Sequence, residues 1–253
     1  MRLRAFRRAV ALAFALAGCF LTYCVVRLRG KPSLEQRAQW LQSACRLVLG
    51  SLGIRYVHEG TPPRNGVIVA NHLSYLDIAI LSAISPCFFV AKSEIASWPY
   101  FGWAARTGGT LFLDRSSKAS ARRVADAIAM RLSLPVPVLF FPEGTSTDGT
   151  SVLPFHRGLF EPVVRSGARV TPAAISYRME DGIEERELCW FGDAGFLPHL
   201  WKALAVRNFT AHVQFGEMRM YSDRRIAAEE THAEITAMRG KAISFPQVLE
   251  DSD

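Results

Sequence analysis

Apolar and polar positions change rhythm along this chain, and the rhythm divides it. Ala9–Val26 carries no charge over 18 positions, about 27 Å as a helix against a hydrocarbon core of ~30 Å. Leu34–Ile54 then sets Leu34, Ala38, Leu41, Cys45, Val48, Leu49 and Leu52 at helical spacing. Ser33 stands ahead of it as a cap, and Glu35, Gln36, Arg37 and Gln39 fall off the stripe. Beyond Gly66, short apolar runs alternate with helical segments. The predicted strands are Val67–Ala70, Phe88–Ala91, Thr110–Leu113, Val136–Phe141, Arg169–Ser176 and Ala211–Phe215. Ile78–Ile84, Trp98–Thr107, Lys118–Leu132 and Leu159–Ser166 are predicted helical, and Asp223–Ala242 is a polar terminal helix. Pro137 inside its run implies an edge position or an irregular start. Asp181–Arg186 is a charged turn, and Gly192–Leu204 has no pattern that fixes its shape.

This alternation predicts an α/β fold: a single domain with a mixed, mostly parallel sheet covered by helices, preceded by an N-terminal membrane-anchoring helical segment. The organisation expected is a basic-flanked anchor helix at 1–31, an amphipathic helix and linker at 32–65, the α/β domain at 66–220, and a C-terminal helix and tail at 221–253.

Charge sharpens the first of these. The 253 residues carry a net charge of +7. Arg2, Arg4, Arg7, Arg8, Arg27, Arg29 and Lys31 precede the first acid, and the 23 basic residues left balance the 23 acidic ones. A basic footprint for nucleic acid over the body is therefore absent, and the excess suits anionic headgroups beside an apolar segment. Three readings of Ala9–Val26 compete: a membrane span, a partly inserted anchor, or a signal peptide. Leu16-Ala17-Gly18-Cys19 resembles a lipoprotein cleavage box, but the apolar run continues past Cys19 to Val26, where a cleaved segment would have ended. Basic residues flank both ends, so charge does not set orientation. The five cysteines make neither a metal-ligand spacing nor an even framework, as expected of reduced, packed thiols in a cytosolic setting.

The chemistry concentrates at Asn71–Asp77, Asn-His-Leu-Ser-Tyr-Leu-Asp, between a predicted strand and a predicted helix. His72 and Asp77 are five apart and on one regular helix would diverge by roughly 140°. With Ser74 as N-cap and Asp77 as its capping-box partner, His72 lies on the incoming loop and can fold back onto Asp77. A carboxylate on one imidazole nitrogen raises the basicity of the other, which makes a general base. The alternative is a carboxylate that only caps the helix beside a satisfied junction histidine.

Asn71–Asp77 resembles the His-x4-Asp motif of the glycerolipid acyltransferases, the family of 1-acylglycerol-3-phosphate acyltransferases. Three blocks follow in that family's order: Gly108–Arg115 (GGTLFLDR), Phe141–Ser146 (FPEGTS) and Val170–Ile175 (VTPAAI). The resemblance implies a catalytic His72 and Asp77, with direct attack by the acceptor and no acyl-enzyme. It implies substrate binding by Glu143, Gly144 and Thr145, with Glu143 holding an acceptor or orienting a neighbouring loop. Arg115 and Lys92, each just past a predicted strand, offer cations for the same anion, the alternatives being a surface salt bridge of Arg115 with Asp114 and a solvated Lys92. No metal and no cofactor are implied beyond acyl-ACP or acyl-CoA as co-substrate. The partners implied are a membrane lyso-lipid and an acyl carrier protein or CoA thioester, at the cytoplasmic side of the inner membrane. Similar family members carry a two-helix N-terminal element at the membrane. The acceptor implied first is 1-acylglycerol-3-phosphate, giving phosphatidic acid. One departure favours another: phosphate-binding members continue Phe-Pro-Glu-Gly-Thr with arginine, whereas Ser146 stands here, followed by Asp148. A lyso-ornithine lipid is the rival acceptor, and His156 and Arg157 can restore part of the charge. A membrane-associated lipid hydrolase is the rival of another class; Ser74 is its tempting nucleophile, but no Gly-x-Ser-x-Gly elbow is present. A non-catalytic lipid-binding protein is the third reading.

Overall fold

The computed structural model describes residues 2–114, 116–180 and 182–244. Seven strands form one sheet: β1 (Arg55–Glu59), β2 (Val67–Ala70), β3 (Phe88–Lys92), β4 (Leu111–Leu113), β5 (Val138–Phe140), β6 (Val170–Met179) and β7 (Phe209–Phe215). Their order is β1-β7-β6-β2-β5-β3-β4. Every neighbouring pair is parallel except β6–β7, so β7 and β1 run against the other five. The mixed, mostly parallel α/β sheet expected from the alternation is the fold observed.

Strand residues alternate between two cores, as a period of two requires. On one face Ile68, Ala70, Phe89, Leu139 and Ile175 pack with Trp40, Leu41 and Leu49 of α2 (Leu34–Leu52) and Ile80 and Leu81 of α3 (Leu76–Ile84). On the other face Val67, Val69, Val138 and Phe140 meet Val124 and Ile128 of α5 (Lys118–Leu132), Phe160 and Val163 of α6 (Phe160–Arg165), and Ala227, Ile235 and Met238 of α8 (Arg224–Ser244). Burial on both faces explains why β2 is apolar throughout. β5 is an inner strand, and Pro137 lies just before it, its carbonyl accepting from Phe88 N at 2.9 Å. Of the two expectations for that proline, the irregular start is the one observed.

Two elements depart from the sequence pattern. β1 lies within the stretch read as linker; its residues are mostly exposed and polar because it is an edge strand paired only with β7. Gly192–Leu204 contains a helix, α7 (Phe196–Ala205). Between these, α4 (Phe101–Gly108) is shorter than expected and follows a 3₁₀ turn at Ser93–Ser97.

The N-terminal helix, α1 (Arg2–Leu28), is long and apolar enough to cross a membrane, and little of it is buried. It nevertheless docks on the body. Ala5 packs with Leu52, Leu204 and Ala205. Arg4 Nη1 donates to Ala205 O at 3.3 Å, and Arg8 donates to Leu204 O at 3.5 Å, to Arg207 O at 2.9 Å and to Val206 O. These are carbonyls at and just past the C-terminal end of α7, where a cation satisfies orphan acceptors and the helix dipole together. Two of the four leading arginines thus hold protein. Farther along, α1 passes Leu47 of α2 at Gly18, with room for a Cβ there, and Tyr23, Trp40 and Trp103 of α4 pack with centroids 5.1–5.8 Å apart, two of the three pairs edge-on. The opposite side of α1 exposes Leu3, Phe6, Val10, Phe14, Leu21, Val25 and Leu28 at helical spacing. Arg8→Ala should cost about 1–2 kcal/mol, the scale of lost charge-assisted bonds on a half-buried group. Chemical denaturation of the detergent-solubilised chain measures it, and an unchanged midpoint would show that the clamp contributes nothing.

Candidate active site

β2 ends at Ala70 and the chain leaves the sheet as a short loop before α3. Asn71, 1% exposed, ties that loop to β6: its amide donates to Ile175 O at 3.1 Å and accepts from Ile175 N at 2.8 Å. The side chain extends the β2–β6 ladder by one more pair. The next residue is gripped through its backbone by Glu143 of the FPEGTS block and by Thr147 just past it. His72 N donates to Glu143 Oε1 at 2.7 Å, and His72 O accepts from Thr147 N at 2.9 Å. The Trp190 N–H to Leu73 O bond, 2.8 Å, secures the loop from its other side.

His72 Nδ1 lies 2.8 Å from Asp77 Oδ2. The same oxygen accepts from Leu73 N at 2.7 Å and from Ser74 N at 3.0 Å, while Oδ1 accepts from the Tyr177 hydroxyl. Asp77 is fully buried, whereas the His72 side chain is 18% exposed. With Nδ1 committed, Nε2 has no bonding partner among the described residues and is the nitrogen left to meet a ligand. The Phe141 ring stacks on the imidazole at 4.1 Å and 14° and fixes its plane.

Glu143 is 4% exposed, and both of its oxygens are occupied by backbone, His72 N on one and Leu153 N on the other at 2.8 Å. Of the two expectations for Glu143, these bonds are those of a loop orienter: it clamps the His72 loop to the following segment. Burial pushes its carboxyl up to about 7 against those two donors. Because the folded value exceeds the unfolded one, the associated stability is complete below about pH 4.5 and is lost as pH rises through about 7. In Glu143→Gln the stability deficit relative to the wild type should therefore be largest near pH 5 and shrink towards pH 7.5. Denaturation midpoints at the two values check this, and a deficit that grows with pH would contradict it.

Ser74 is not the cap. α3 starts from Tyr75, Asp77 N bonds the Ser74 carbonyl at 3.1 Å, and the Ser74 hydroxyl is buried with no hydrogen-bonding partner among the described residues. Half of the expected capping box survives, the carboxylate on Ser74 N. The other half fails because the loop is shaped to bring His72 onto Asp77. Sealed in this way, Ser74 is also no nucleophile. Gly144 turns at φ 76°, the left-handed region that glycine tolerates. Thr145 and Lys92 are exposed, Lys92 at the carboxyl end of β3, and neither side chain joins the histidine cluster. Arg115 lies outside the described residues. Ser146 donates to Trp190 O, so the position that departs from the phosphate-binding pattern is spent within the protein.

The sequence reading missed Asn71, Tyr177 and Arg239. Arg239 on α8, 4% exposed, donates to Ile175 O at 3.1 Å, Gly149 O at 2.6 Å and both oxygens of Glu185. Tyr177 had one legible signal: it is two residues beyond the VTPAAI block, on the strand face shared with Ile175.

The chain is 36% identical to the lyso-ornithine lipid O-acyltransferase of Rhodobacter capsulatus over 82% of its own length and 79% of that protein. It belongs to the acyltransferase family. The family model described as Acyltransferase matches residues 53–176, a span that takes in β1 through most of β6 and the whole histidine loop. The 1-acyl-sn-glycerol-3-phosphate acyltransferase of Neisseria meningitidis serogroup B is also 36% identical, over 74% of this chain and 73% of that one. The crystal structure of the 1-acyl-sn-glycerophosphate (LPA) acyltransferase PlsC from Thermotoga maritima superposes with a TM-score of 0.72 at 18% identity, covering 98% of this chain and all of that one, and so shares the fold. The enzyme is an acyltransferase.

Proposed function

We propose that this acyltransferase moves a fatty acyl group from a thioester to the hydroxyl of a lysolipid, with His72 as general base. The observation that carries this is the His72 Nδ1–Asp77 Oδ2 contact at 2.8 Å with Nε2 left free. A thiolate leaves readily, so the difficult part is deprotonating the alcohol as it attacks. Asp77 fixes the proton of the neutral ring on Nδ1 and stabilises the imidazolium that forms when Nε2 takes the hydroxyl proton. The alcohol oxygen bonds the acyl carbon, the C–S bond breaks, and the thiolate leaves with the proton returned from His72. Asp77 sits within four donors, and Glu143, Asn71 and Phe141 hold the ring where it must work.

The acceptor we favour is a lyso-ornithine lipid. Ser146 offers no cation, and Asp148 lies two residues on, partly exposed, with its nearest cation Arg186 at 3.8 Å. An acid at that edge suits an amine-bearing headgroup better than a phosphomonoester. 1-Acylglycerol-3-phosphate is the second reading, supported by relatives of that name. The acyl donor is acyl-ACP or acyl-CoA, and the enzyme acts from the cytoplasmic side of the inner membrane. The clamp of Arg4 and Arg8 on α7 and the apolar stripe along the outer side of α1 support a helix lying in the interface plane with its body docked alongside. Leu197 and Trp201 of α7 are exposed apolar residues beside it. Purified protein given labelled acyl thioester and a panel of lysolipids should form a diacyl ornithine lipid fastest. Faster turnover of 1-acylglycerol-3-phosphate would reverse the headgroup assignment, and free fatty acid as the sole product would refute transfer.

A further inference from the structure

We infer that Tyr177 is a positioning residue that tunes the basicity of the His72–Asp77 pair through the second oxygen of the carboxylate. The inference rests on the acyl-transfer reading above and extends it to a residue outside the four sequence blocks.

Tyr177 stands on β6, 4% exposed, and its hydroxyl donates to Asp77 Oδ1. It is the donor on the carboxylate oxygen that the histidine does not use. The other three donors to Asp77, the His72 ring and the backbone of Leu73 and Ser74, all converge on Oδ2. Without the phenol, Oδ1 would be a buried anionic oxygen with no bond, an arrangement that favours a proton on the pair. The phenol cannot turn away easily. Its ring packs edge-on against Phe209 at 5.6 Å. Its own backbone N–H donates to Glu185 Oε1 at 2.6 Å, and Arg239 holds both oxygens of that glutamate. Burial and the neighbouring carboxylates push Tyr177 well above its ordinary value, so it remains a donor throughout the working range.

The titratable groups facing the pair come from five elements: Glu143 from the β5 loop, Tyr177 from β6, Glu185 and Cys189 from the segment before α7, and Arg239 from α8, around His72 on its own loop. Cys189 is pushed up by burial, so it stays a neutral thiol. Arg239 and Glu185 form one bidentate ion pair and largely cancel. Apart from the His72 ring itself, Tyr177 is the one side-chain donor on Asp77 among the described residues, and it can be removed without changing the backbone.

A donor on Oδ1 withdraws electron density from the carboxylate. Removing it raises the proton affinity of Asp77 and, through the Nδ1 contact, of His72. The base works only when the imidazole is neutral, so the acid limb of the rate profile must move to higher pH. In Tyr177→Phe that limb of log(kcat/KM) should rise by about one pH unit, with KM for the lysolipid unchanged. The measurement uses the full chain in detergent or vesicles, with melting temperature recorded beside it. Site-specific 3-fluorotyrosine at position 177 keeps the ring and strengthens the donor. It should move the limb the opposite way, and it guards against a Phe variant that folds poorly. Opposite shifts in the two variants support the inference. A limb that stays with the wild type in the folded variants, even if kcat or melting temperature falls, overturns it and leaves Tyr177 structural. His72→Ala in parallel separates the two questions: if it retains full activity, the general-base reading has failed, whereas an inactive His72→Ala beside an unshifted Tyr177→Phe rejects the present inference alone.

Discussion

His72→Ala should lower the rate of acyl transfer about 1000-fold, with the fold and membrane binding intact. General-base catalysis by a positioned group contributes ~10²–10⁴-fold, and ~10³ corresponds to about 4 kcal/mol of barrier. The loss falls on kcat because the imidazole acts on the hydroxyl as it attacks. Stability should change little. The backbone of His72 keeps its bonds to Glu143 and Thr147 whatever the side chain, and the ring is already partly exposed. Asp77 would keep three donors, Leu73 N, Ser74 N and the Tyr177 hydroxyl. Steady-state assay together with a melting curve reads both quantities. A variant that melts with the wild type and turns over at its rate would remove His72 from the chemistry.

Asp77→Asn should cost about 100-fold in kcat, less than loss of the base itself. The buried geometry dictates how the amide sits. Its oxygen must face His72 Nδ1, Leu73 N and Ser74 N, which are all donors, so its NH₂ faces Tyr177. The phenol can then turn to accept. The ring keeps its tautomer, but the Tyr177 O–H loses its acceptor and the charge that stabilises the imidazolium is gone. The variant thus isolates the electrostatic part of the pair. Its acid limb should move to lower pH, because a histidine without its carboxylate is a weaker base. The pH dependence of kcat/KM checks this, and a limb shifted upward would contradict a carboxylate that supports the base.

These effects trace to positions whose legibility in the sequence differed for physical reasons. Period and burial made β2, β3 and β6 and helices α2 and α5 readable, since each buries an apolar face. β1 was hidden because an edge strand with Tyr56 only half-buried and Val57 and His58 exposed shows no buried alternation. α7 was hidden because its face is divided between Leu204 and Ala205 inside and Leu197 and Trp201 outside, behind a glycine-rich approach. At the site, the His72–Asp77 spacing pointed to the loop-to-helix fold-back, and the contact is there. The role first given to Ser74 failed because a tertiary demand, four donors around one buried carboxylate, overrode the local capping preference. Glu143 was legible as an acceptor holder or a loop orienter, without a choice between them: that Leu153 N would reach its second oxygen depends on how the following segment returns, which no local pattern encodes. Tyr177 and Arg239 come from β6 and α8, 100 and 162 positions from Asp77, and only packing brings them to it.

Direct transfer onto the lysolipid hydroxyl is tested most plainly by thiol release from the acyl thioester with and without acceptor. The purified enzyme at micromolar concentration should release no burst of thiol in the absence of lysolipid. On its addition, it should release one thiol for each diacyl lipid formed. A stoichiometric burst without acceptor, with an acyl group found on the protein, would contradict attack by the lysolipid hydroxyl activated at His72.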